Sequence, residues 1–206
     1  MSYVLTSKFA TLFVNLPAAI SNVTLSGNGN TTNSNLTVKA GQSVTFSANA
    51  TGTALKYQWL LNNVNIKGAT KATYTIAKAT STSAGTYSVS VTNAFTKTPA
   101  TAGPFVLSVL TPPAIVTPLK ATSATSGSGV TLKVVASGNP LPSFTWTFGG
   151  SGLPTGSNLT TTSNSNTATS SVGFPSVSAA DTGTYKVVIS NGVGNSATSS
   201  AKLTVK

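Results

Sequence analysis

Two short motifs of the same form constrain this chain more than any other feature. Residues 181–187 read DTGTYKV, and residues 83–89 read SAGTYSV. In each motif a Gly precedes a Tyr by two positions and a Val follows the Tyr by two positions, so Tyr and Val fall on one face of a strand. A Trp lies upstream of each motif, Trp59 before the first and Trp146 before the second. The repetition predicts two β-domains of similar construction in tandem.

The motif resembles the entry to strand F of an immunoglobulin-like sandwich, in which the Tyr hydroxyl bonds back to upstream backbone. Residues 136–140 (ASGNP) are similar to a stretch that is common in I-set domains. The resemblance implies an all-β fold of two tandem immunoglobulin-like β-sandwiches with an N-terminal extended arm. It also implies a set of structural core residues: Trp59, Tyr87, Trp146, Tyr185 and Asp181. Related domains commonly pair this Asp with an Arg; because the chain has no Arg, we expect Asp181 to accept backbone hydrogen bonds in its turn instead.

Internal similarity predicts the domain limits. Residues 17–20 (PAAI) resemble residues 112–115 (PPAI), and the second stretch opens the second domain. Prolines in the second stretch favour an extended, semi-rigid connection. The predicted organisation has four parts: a docking arm at 1–16, domain one at 17–110, a Pro linker at 111–113 and domain two at 114–206.

The N-terminal arm is the least domain-like part of the chain. Its apolar side chains are crowded together: Phe9, Leu12, Phe13, Val14 and Leu16. We expect either that the arm docks on a partner, by adding a strand or filling a groove, or that it lengthens the first strand of its own domain. Asn15 and Pro17 interrupt the apolar run, which argues against a secretion signal or a membrane span.

The charge balance is extreme, since twelve Lys stand against one acidic residue and the net charge is +11. The lysines are dispersed, there is no Arg, and no aromatic-rich RNA-binding motif is present, so specific nucleic-acid recognition is not expected. A positive surface of this kind favours encounter with an acidic protein lattice or an anionic cell surface. Self-association through edge strands is compatible with the sequence, which does not rank it.

The residue types used by most enzymes are missing. The chain has no His, no Cys, no Glu and one Asp, so it lacks the two acids of a glycosidase and the base of a catalytic triad. Metal sites lack ligands in the required number. We therefore predict a protein that is not an enzyme and has neither cofactor nor metal. The resemblance places apolar residues where related domains often carry a disulfide between strands B and F, Ala48 with Val89 and Val134 with Val187.

Two functions remain, and the resemblance favours the first. Similar domains are common in tailed-phage decoration proteins, tail tubes and fibres, which implies a virion structural protein made in the host cytoplasm. Its arm and domain one would dock on the major capsid protein or another virion protein, and domain two would project towards host-surface glycans. The alternative is an adhesion module at a bacterial cell surface or in the medium. Fold alone does not decide between them.

Overall fold

The computed structural model describes residues 15–27, 30–32 and 34–206 of the chain. The described residues group into two compact units. One contains the described residues up to 36 with 43–78 and 84–107, and the other contains 37–42, 79–83 and 108–206. The domain limits expected from the sequence stay a prediction, and we use "domain one" for 17–110 and "domain two" for 114–206.

Domain one is formed by short strands and by the first part of a long strand that extends beyond it. The strands are β1 (Ala19–Gly27), β2 (Asn30–Thr32), β3 (Asn35–Lys39), β4 (Val44–Thr51), β5 (Lys56–Leu61), β6 (Val64–Asn65), β7 (Thr73–Ile76), β8 (Gly85–Thr92) and β9 (Ala100–Thr117). One sheet has the order β1-β4-β7, and β6, β5, β8 and β9 are neighbours in the other. A 3₁₀ turn at Ser81–Ser83 leads into β8. This order brings the Trp strand β5 beside the Tyr strand β8.

Domain two repeats the arrangement. Its strands are β10 (Thr122–Ala124), β11 (Val130–Asn139), β12 (Ser143–Phe148), β13 (Asn158–Ser163), β14 (Thr167–Phe174), β15 (Gly183–Ser190) and β16 (Ala197–Val205). One sheet has the order β10-β16-β15-β12, and in the other β13, β14 and β11 are followed by the second part of β9. The 3₁₀ turn at Ala179–Asp181 precedes β15. The predicted all-β class is confirmed.

Alternation of apolar and polar residues explains which side of each strand is buried. In β11, Val130, Leu132 and Val134 are buried while the intervening Thr131 and Lys133 are exposed. Strand side chains point alternately to the two faces of a sheet, so one face of β11 lies in the core. The core of domain two contains residues from both of its sheets, including Trp146 and Tyr185. In domain one the ring of Phe46 stacks on that of Tyr87, with centroids 4.6 Å apart.

One strand of domain two forms where the composition suggests a loop. Residues 149–166 are rich in Gly, Ser, Thr and Asn, yet residues 158–163 within them form β13. The strand pairs with β14 from Asn158 opposite Gly173 to Ser163 opposite Ala168. Thr suits strands because its branched side chain packs well on a pleated surface. Pairing with β14, rather than burial of its own side chains, therefore fixes this strand.

Candidate interaction surfaces

The single acidic residue of the chain is part of a turn. Asp181 accepts two hydrogen bonds at Oδ2, from the backbone N of Ser178 at 2.8 Å and from its Oγ at 3.0 Å. Its backbone carbonyl accepts a hydrogen bond from the Tyr185 hydroxyl at 3.0 Å. Short acidic side chains commonly bond to backbone in this way. The carboxylate therefore stabilises the corner before β15.

Burial changes the acidity of the two motif tyrosines. Tyr87 is 1% exposed and Tyr185 is fully buried. Burial, with a smaller contribution from the Asp181 carboxylate, raises the pKa of Tyr185 to about 12. Burial and then Tyr74 raise the pKa of Tyr87 to about 12. Both phenols therefore stay neutral at physiological pH and act as core groups.

The Gly of each motif accommodates a side chain from the end of the Trp strand. A Cβ on Gly183 would lie 2.5 Å from the ring of Phe148, and one on Gly85 would lie 2.7 Å from the side chain of Leu61. Real Cβ atoms do not approach neighbours so closely. The equivalent requirement in both motifs explains why the same spacing recurs.

The two Trp residues are buried and have satisfied indole groups. The Nε1–H of Trp59 donates to the Lys71 carbonyl at 3.0 Å. The Nε1–H of Trp146 donates to the Oγ of Ser170 at 2.9 Å. Because Trp146 is in β12 and Ser170 is in β14, the second bond joins the two sheets of domain two.

The expected disulfide positions of domain two lie beside that bond. Val187 is opposite Trp146 in the β12–β15 ladder, and Val134 is opposite Ser170 in the β11–β14 ladder. Both valines are fully buried. In domain one, Ala48 and Val89 are also buried. Apolar side chains therefore fill the places that the resemblance assigns to the cross-link.

Asn93 organises the loops at one end of domain one. Its Nδ2 donates to the carbonyls of Leu16 at 2.7 Å and Thr53 at 2.8 Å. Its Oδ1 accepts from the backbone N of Phe95 at 3.0 Å and from Thr96 Oγ1 at 2.6 Å. All four hydrogen-bonding positions of the amide are thus used. We call the group Asn93, Leu16, Thr53, Phe95 and Thr96 the Asn93 cluster.

Asn191 has the equivalent role in domain two. Its Nδ2 donates to the carbonyls of Thr111 at 2.8 Å and Pro140 at 2.7 Å, and its Oδ1 accepts from the backbone N of Val193 at 3.1 Å. Asn93 follows Val89, and Asn191 follows Val187, by the same four positions. Neither role was predicted from the sequence, because most of the partners are distant in the chain. The repeated spacing is the signal that could have found them.

The Asn93 cluster and the residues around Asn191 differ in the exposure of their apolar side chains. In the Asn93 cluster, Leu16 is 53% and Phe95 is 44% exposed, and the nearby Lys97 is exposed. In domain two the corresponding loop residue Val193 is buried. Of the predicted docking-arm residues, only Leu16 is placed by the structure. The others lie outside the described residues: Phe9, Leu12, Phe13 and Val14.

The outer face of the β10-β16-β15-β12 sheet carries hydroxyl groups and lysines. One row across the sheet is Thr147, Lys186 and Ser200, and the next pairs Thr184 with Lys202. The two lysines are exposed and lie on diagonal positions of neighbouring strands. Diagonal neighbours are about 7–8 Å apart. Together these five residues form the lysine–hydroxyl face, which contains no acidic side chain.

A shallow groove of about 510 Å³ crosses β8 and β9 in domain one. It is lined by hydroxyls, an amide and apolar groups and contains no charged side chain; Ser88, Ser90, Thr101, Asn63 and Pro104 are examples.

Within the described residues no cluster of three or more His, Cys, Asp or Glu occurs. In the same segments, no helical stretch has the length and apolar composition that a membrane span requires.

Comparison with family models gives one match for each half of the chain. Residues 113–205 match the immunoglobulin I-set domain, and residues 28–106 match the PKD domain. The second domain therefore matches the expected I-set model, whereas the first matches a different model. No curated protein matches the chain.

Solved structures share the fold along most of the chain. A chain in the complex of Dpr2 Ig1-Ig2 with DIP-Theta Ig1-Ig3 has a TM-score of 0.70 at 20% identity, and this protein covers 66% of it with 93% of its own length. Titin A168–A169 has a TM-score of 0.63 at 23% identity, covering 93% of this chain and all of the titin chain. The insect immune protein hemolin has a TM-score of 0.58 at 15% identity, covering 97% of this chain and 49% of hemolin.

These identities are low, so the similarity shows the fold. The family models, the strand order and the paired Tyr motifs agree. The chain consists of tandem immunoglobulin-like domains, the second of which matches the I-set domain.

Proposed function

We propose that this chain is a non-enzymatic virion structural protein, a phage capsid decoration protein that docks through residues 1–16 and domain one and displays domain two. Its partner would be the major capsid protein or another virion protein. The Asn93 cluster is the observation that carries this proposal. It holds the backbone at Leu16 in place while the side chains of Leu16 and Phe95 are exposed.

Aromatic anchors dominate the energetics of many protein interfaces, and Phe95 is the exposed aromatic side chain of this cluster. The backbone of Leu16 is held on both sides of its Cα. Its N donates to Thr53 Oγ1 at 3.3 Å, and its carbonyl accepts from Asn93 Nδ2. Ordering before binding lowers the entropy lost when the partner docks. The proposed arm therefore starts from a fixed point that also presents Phe95.

Charge supports the choice of an acidic partner. The exposed Lys97 lies two residues from Phe95, and the one acidic side chain in the sequence is bonded within its own turn. An acidic lattice would attract this surface before the apolar contacts form. The equivalent loop of domain two buries its apolar residue, Val193, which favours domain one as the docking part.

The test is co-sedimentation of the protein with particles in a density gradient, using the full chain. We expect Phe95→Ser, and deletion of residues 1–16, to reduce the particle-bound fraction at least about tenfold, a loss typical of a hot-spot residue. Val64→Ser is the matched control, because Val64 is 69% exposed on the short strand β6. Full retention of both altered proteins would overturn docking through this cluster. Recovery of the unaltered protein only with the cell envelope or the medium would overturn the virion function.

The lysine–hydroxyl face favours a second candidate function, adhesion to an anionic glycan. Lys186 and Lys202 supply positive charge, and the neighbouring hydroxyls both donate and accept hydrogen bonds, as sugars do. The domain arrangement of hemolin, which shares this fold, has been connected with homophilic adhesion, so an adhesive use of such domains has a precedent. Under this function the protein would act at a cell surface.

Binding to heparin, with neutral dextran as the comparison, tests the second function. We expect the double variant Lys186→Gln/Lys202→Gln to weaken binding. The slope of log K against log salt should become less steep by about two, because each lost lysine contact leaves about one counterion unreleased. Lys67→Gln/Lys71→Gln removes the same charge from exposed positions in domain one. Equal losses in the two double variants would mean that net charge, rather than this face, binds the polyanion.

A further inference from the structure

Strand β13 is an uncovered edge of its sheet. It pairs with β14 over six consecutive residues without a register shift. Among the described residues no strand pairs with its other side, and all six of its own residues are exposed. An edge of this kind presents unpaired backbone N–H and C=O groups, which can continue the sheet into another chain.

The other described edge strands have features that discourage such pairing. Strands β2, β6 and β10 have only three, two and three residues, respectively. Strand β1 contains a register shift between Ile20 and Asn22. Strand β7 has four residues and lies between Lys71 and Lys78. Short length, bulges and lysine are common means of protecting an edge, and β13 has none of them.

Strand β12 is an edge too, but its ends are occupied. Pro140 and Pro142 precede it, and at its other end Phe148 and Ser151 exchange backbone hydrogen bonds of 3.0 and 2.9 Å. Strand β13, in contrast, contains neither Pro nor Lys. It is therefore the edge on which the described structure places fewest obstacles.

Side-chain bonds hold β13 in place on both faces. On the core side, Thr161 Oγ1 donates to Ser170 Oγ at 3.3 Å, and Ser170 Oγ lies 3.3 Å from the Thr160 carbonyl. On the outer side, the hydroxyls of Thr160 and Ser171 are 2.9 Å apart. A strand already held in its extended form loses little entropy when it pairs.

We propose that β13 pairs in antiparallel orientation with β13 of a second copy of this chain. In a two-fold arrangement, the core-facing side chains of both copies lie on the same side of the joined sheet. Even-numbered residues of β13 must then be opposite even-numbered residues of the other copy, and odd-numbered opposite odd-numbered. Either Thr160 or Thr161 then lies opposite its own copy. Leu159, which is 52% exposed, would contact Thr161 or Ser163 of the other copy. Thr–Thr pairs of this kind are favourable across strands.

The charge distribution permits a second copy despite the net charge of +11. Thr160, Ser171 and Lys133 form one row across strands β13, β14 and β11, because Ser171 is opposite both Thr160 and Lys133. In the paired sheet the two Lys133 residues would be five strand spacings apart, or about 24 Å. This distance exceeds the Debye length of about 8 Å at physiological salt, so their repulsion is screened. An acidic partner, in contrast, would find no lysine on β13 to recognise.

A single six-residue edge is small compared with a standard interface of about 1,600 Å². We therefore expect weak pairing in dilute solution and strong pairing where copies are held close together. Pairing through β13 is independent of both proposed functions, because it involves only contacts between copies of the chain.

Cysteine cross-linking tests the pairing, since the natural chain has no Cys. Full-length Thr160→Cys and Thr161→Cys proteins are oxidised at high concentration. The control is Ser123→Cys, at the exposed position of the edge strand β10. We expect one of the two β13 variants to form disulfide dimers at least tenfold faster than the control. Equal rates of dimer formation at all three positions, or monomers throughout, would overturn the proposal. Monomers throughout are also the result expected if β13 pairs only with a different protein.

A second pair of variants separates pairing from general reactivity. A lysine is added to whichever cysteine variant forms dimers, as Thr160→Lys with Thr161→Cys or as Thr161→Lys with Thr160→Cys. It places like charges close together across the pair and should slow dimer formation at least tenfold. Thr145→Lys, an exposed position on β12, is the matched charge control. Circular dichroism establishes that each protein is folded. An unchanged rate of dimer formation with the added lysine would contradict the pairing.

Discussion

Trp146 and Ser170 join the two sheets of domain two through a hydrogen bond of 2.9 Å inside the core. The bond lies beside Val134 and Val187, which fill the expected disulfide positions. Ser170 is fully buried and also contacts β13 through Thr161. One hydroxyl therefore connects the core Trp with the edge strand.

Replacement of Ser170 by Ala should lower the free energy of unfolding by about 1–3 kcal/mol, because the buried indole N–H loses its acceptor. Denaturant unfolding followed by Trp fluorescence measures this change. Ser171→Ala is the control, since that hydroxyl bonds to Thr160 on the outer face. A loss no larger than that of the control would show that the indole finds another partner.

Replacement of Asn93 by Ala should release Leu16 from the loops of domain one. The carbonyls of Leu16 and Thr53 lose their donor, which we expect to cost about 1–3 kcal/mol. Amide hydrogen exchange is the measurement: the N–H of Thr53, which donates to the Leu16 carbonyl at 3.2 Å, should exchange faster. Asn195→Ala, at an exposed position in domain two, should leave that exchange rate unchanged.

Replacement of Tyr185 by Phe should change the response of stability to alkaline pH. The pKa of Tyr185 is raised to about 12, whereas an unfolded Tyr ionises near 10. The unfolded state therefore binds fewer protons between about pH 10 and 12, and the stability due to this burial is lost as pH rises through that window. Tyr185→Phe should unfold more easily at neutral pH, by about 1 kcal/mol for the lost hydrogen bond. Its stability should then decline less steeply above pH 10.

Chemical denaturation at a series of pH values from 8 to about 12 measures both effects. Tyr87→Phe, which removes the other raised pKa, should also reduce the slope. Parallel curves for the natural protein and Tyr185→Phe would contradict the assigned burial effect.

The double variant Val134→Cys/Val187→Cys should form a disulfide across the sheets of domain two. Both side chains are fully buried beside the Trp146–Ser170 bond. A cross-link of this loop length typically adds about 2–4 kcal/mol. The midpoint of urea unfolding should rise in oxidised protein and return towards that of Val134→Cys alone after reduction. No rise on oxidation would mean that the two positions do not meet with disulfide geometry.

Local patterns predicted most of the fold. The spacing around Tyr87 and Tyr185 predicted β8 and β15, because alternation along a strand is encoded in neighbouring residues. Strand β13 escaped prediction since Thr and Ser on both of its faces leave no apolar alternation to read. Its backbone is ordered by β14, a segment that a single-sequence pattern does not connect to it.

The candidate surfaces were less predictable than the fold. Leu16 was expected to be an apolar docking residue, but Phe95 was not associated with it. Their association depends on Asn93, whose amide bonds to a residue 77 positions away. Such a contact becomes visible only after the sheets bring the loops together. The lysine–hydroxyl face has the same origin, because Lys186 and Lys202 become neighbours through the ladder of β15 and β16.

The lysine–hydroxyl face has a consequence for how a bound polyanion would be released. The chain contains neither His nor Cys, the side chains that titrate near neutral pH. Mild acidification therefore has no imidazole or thiol through which it could release the polyanion. A rise in ionic strength would weaken the same contact strongly. Salt concentration, rather than mild acid, would therefore control release of the polyanion from the face.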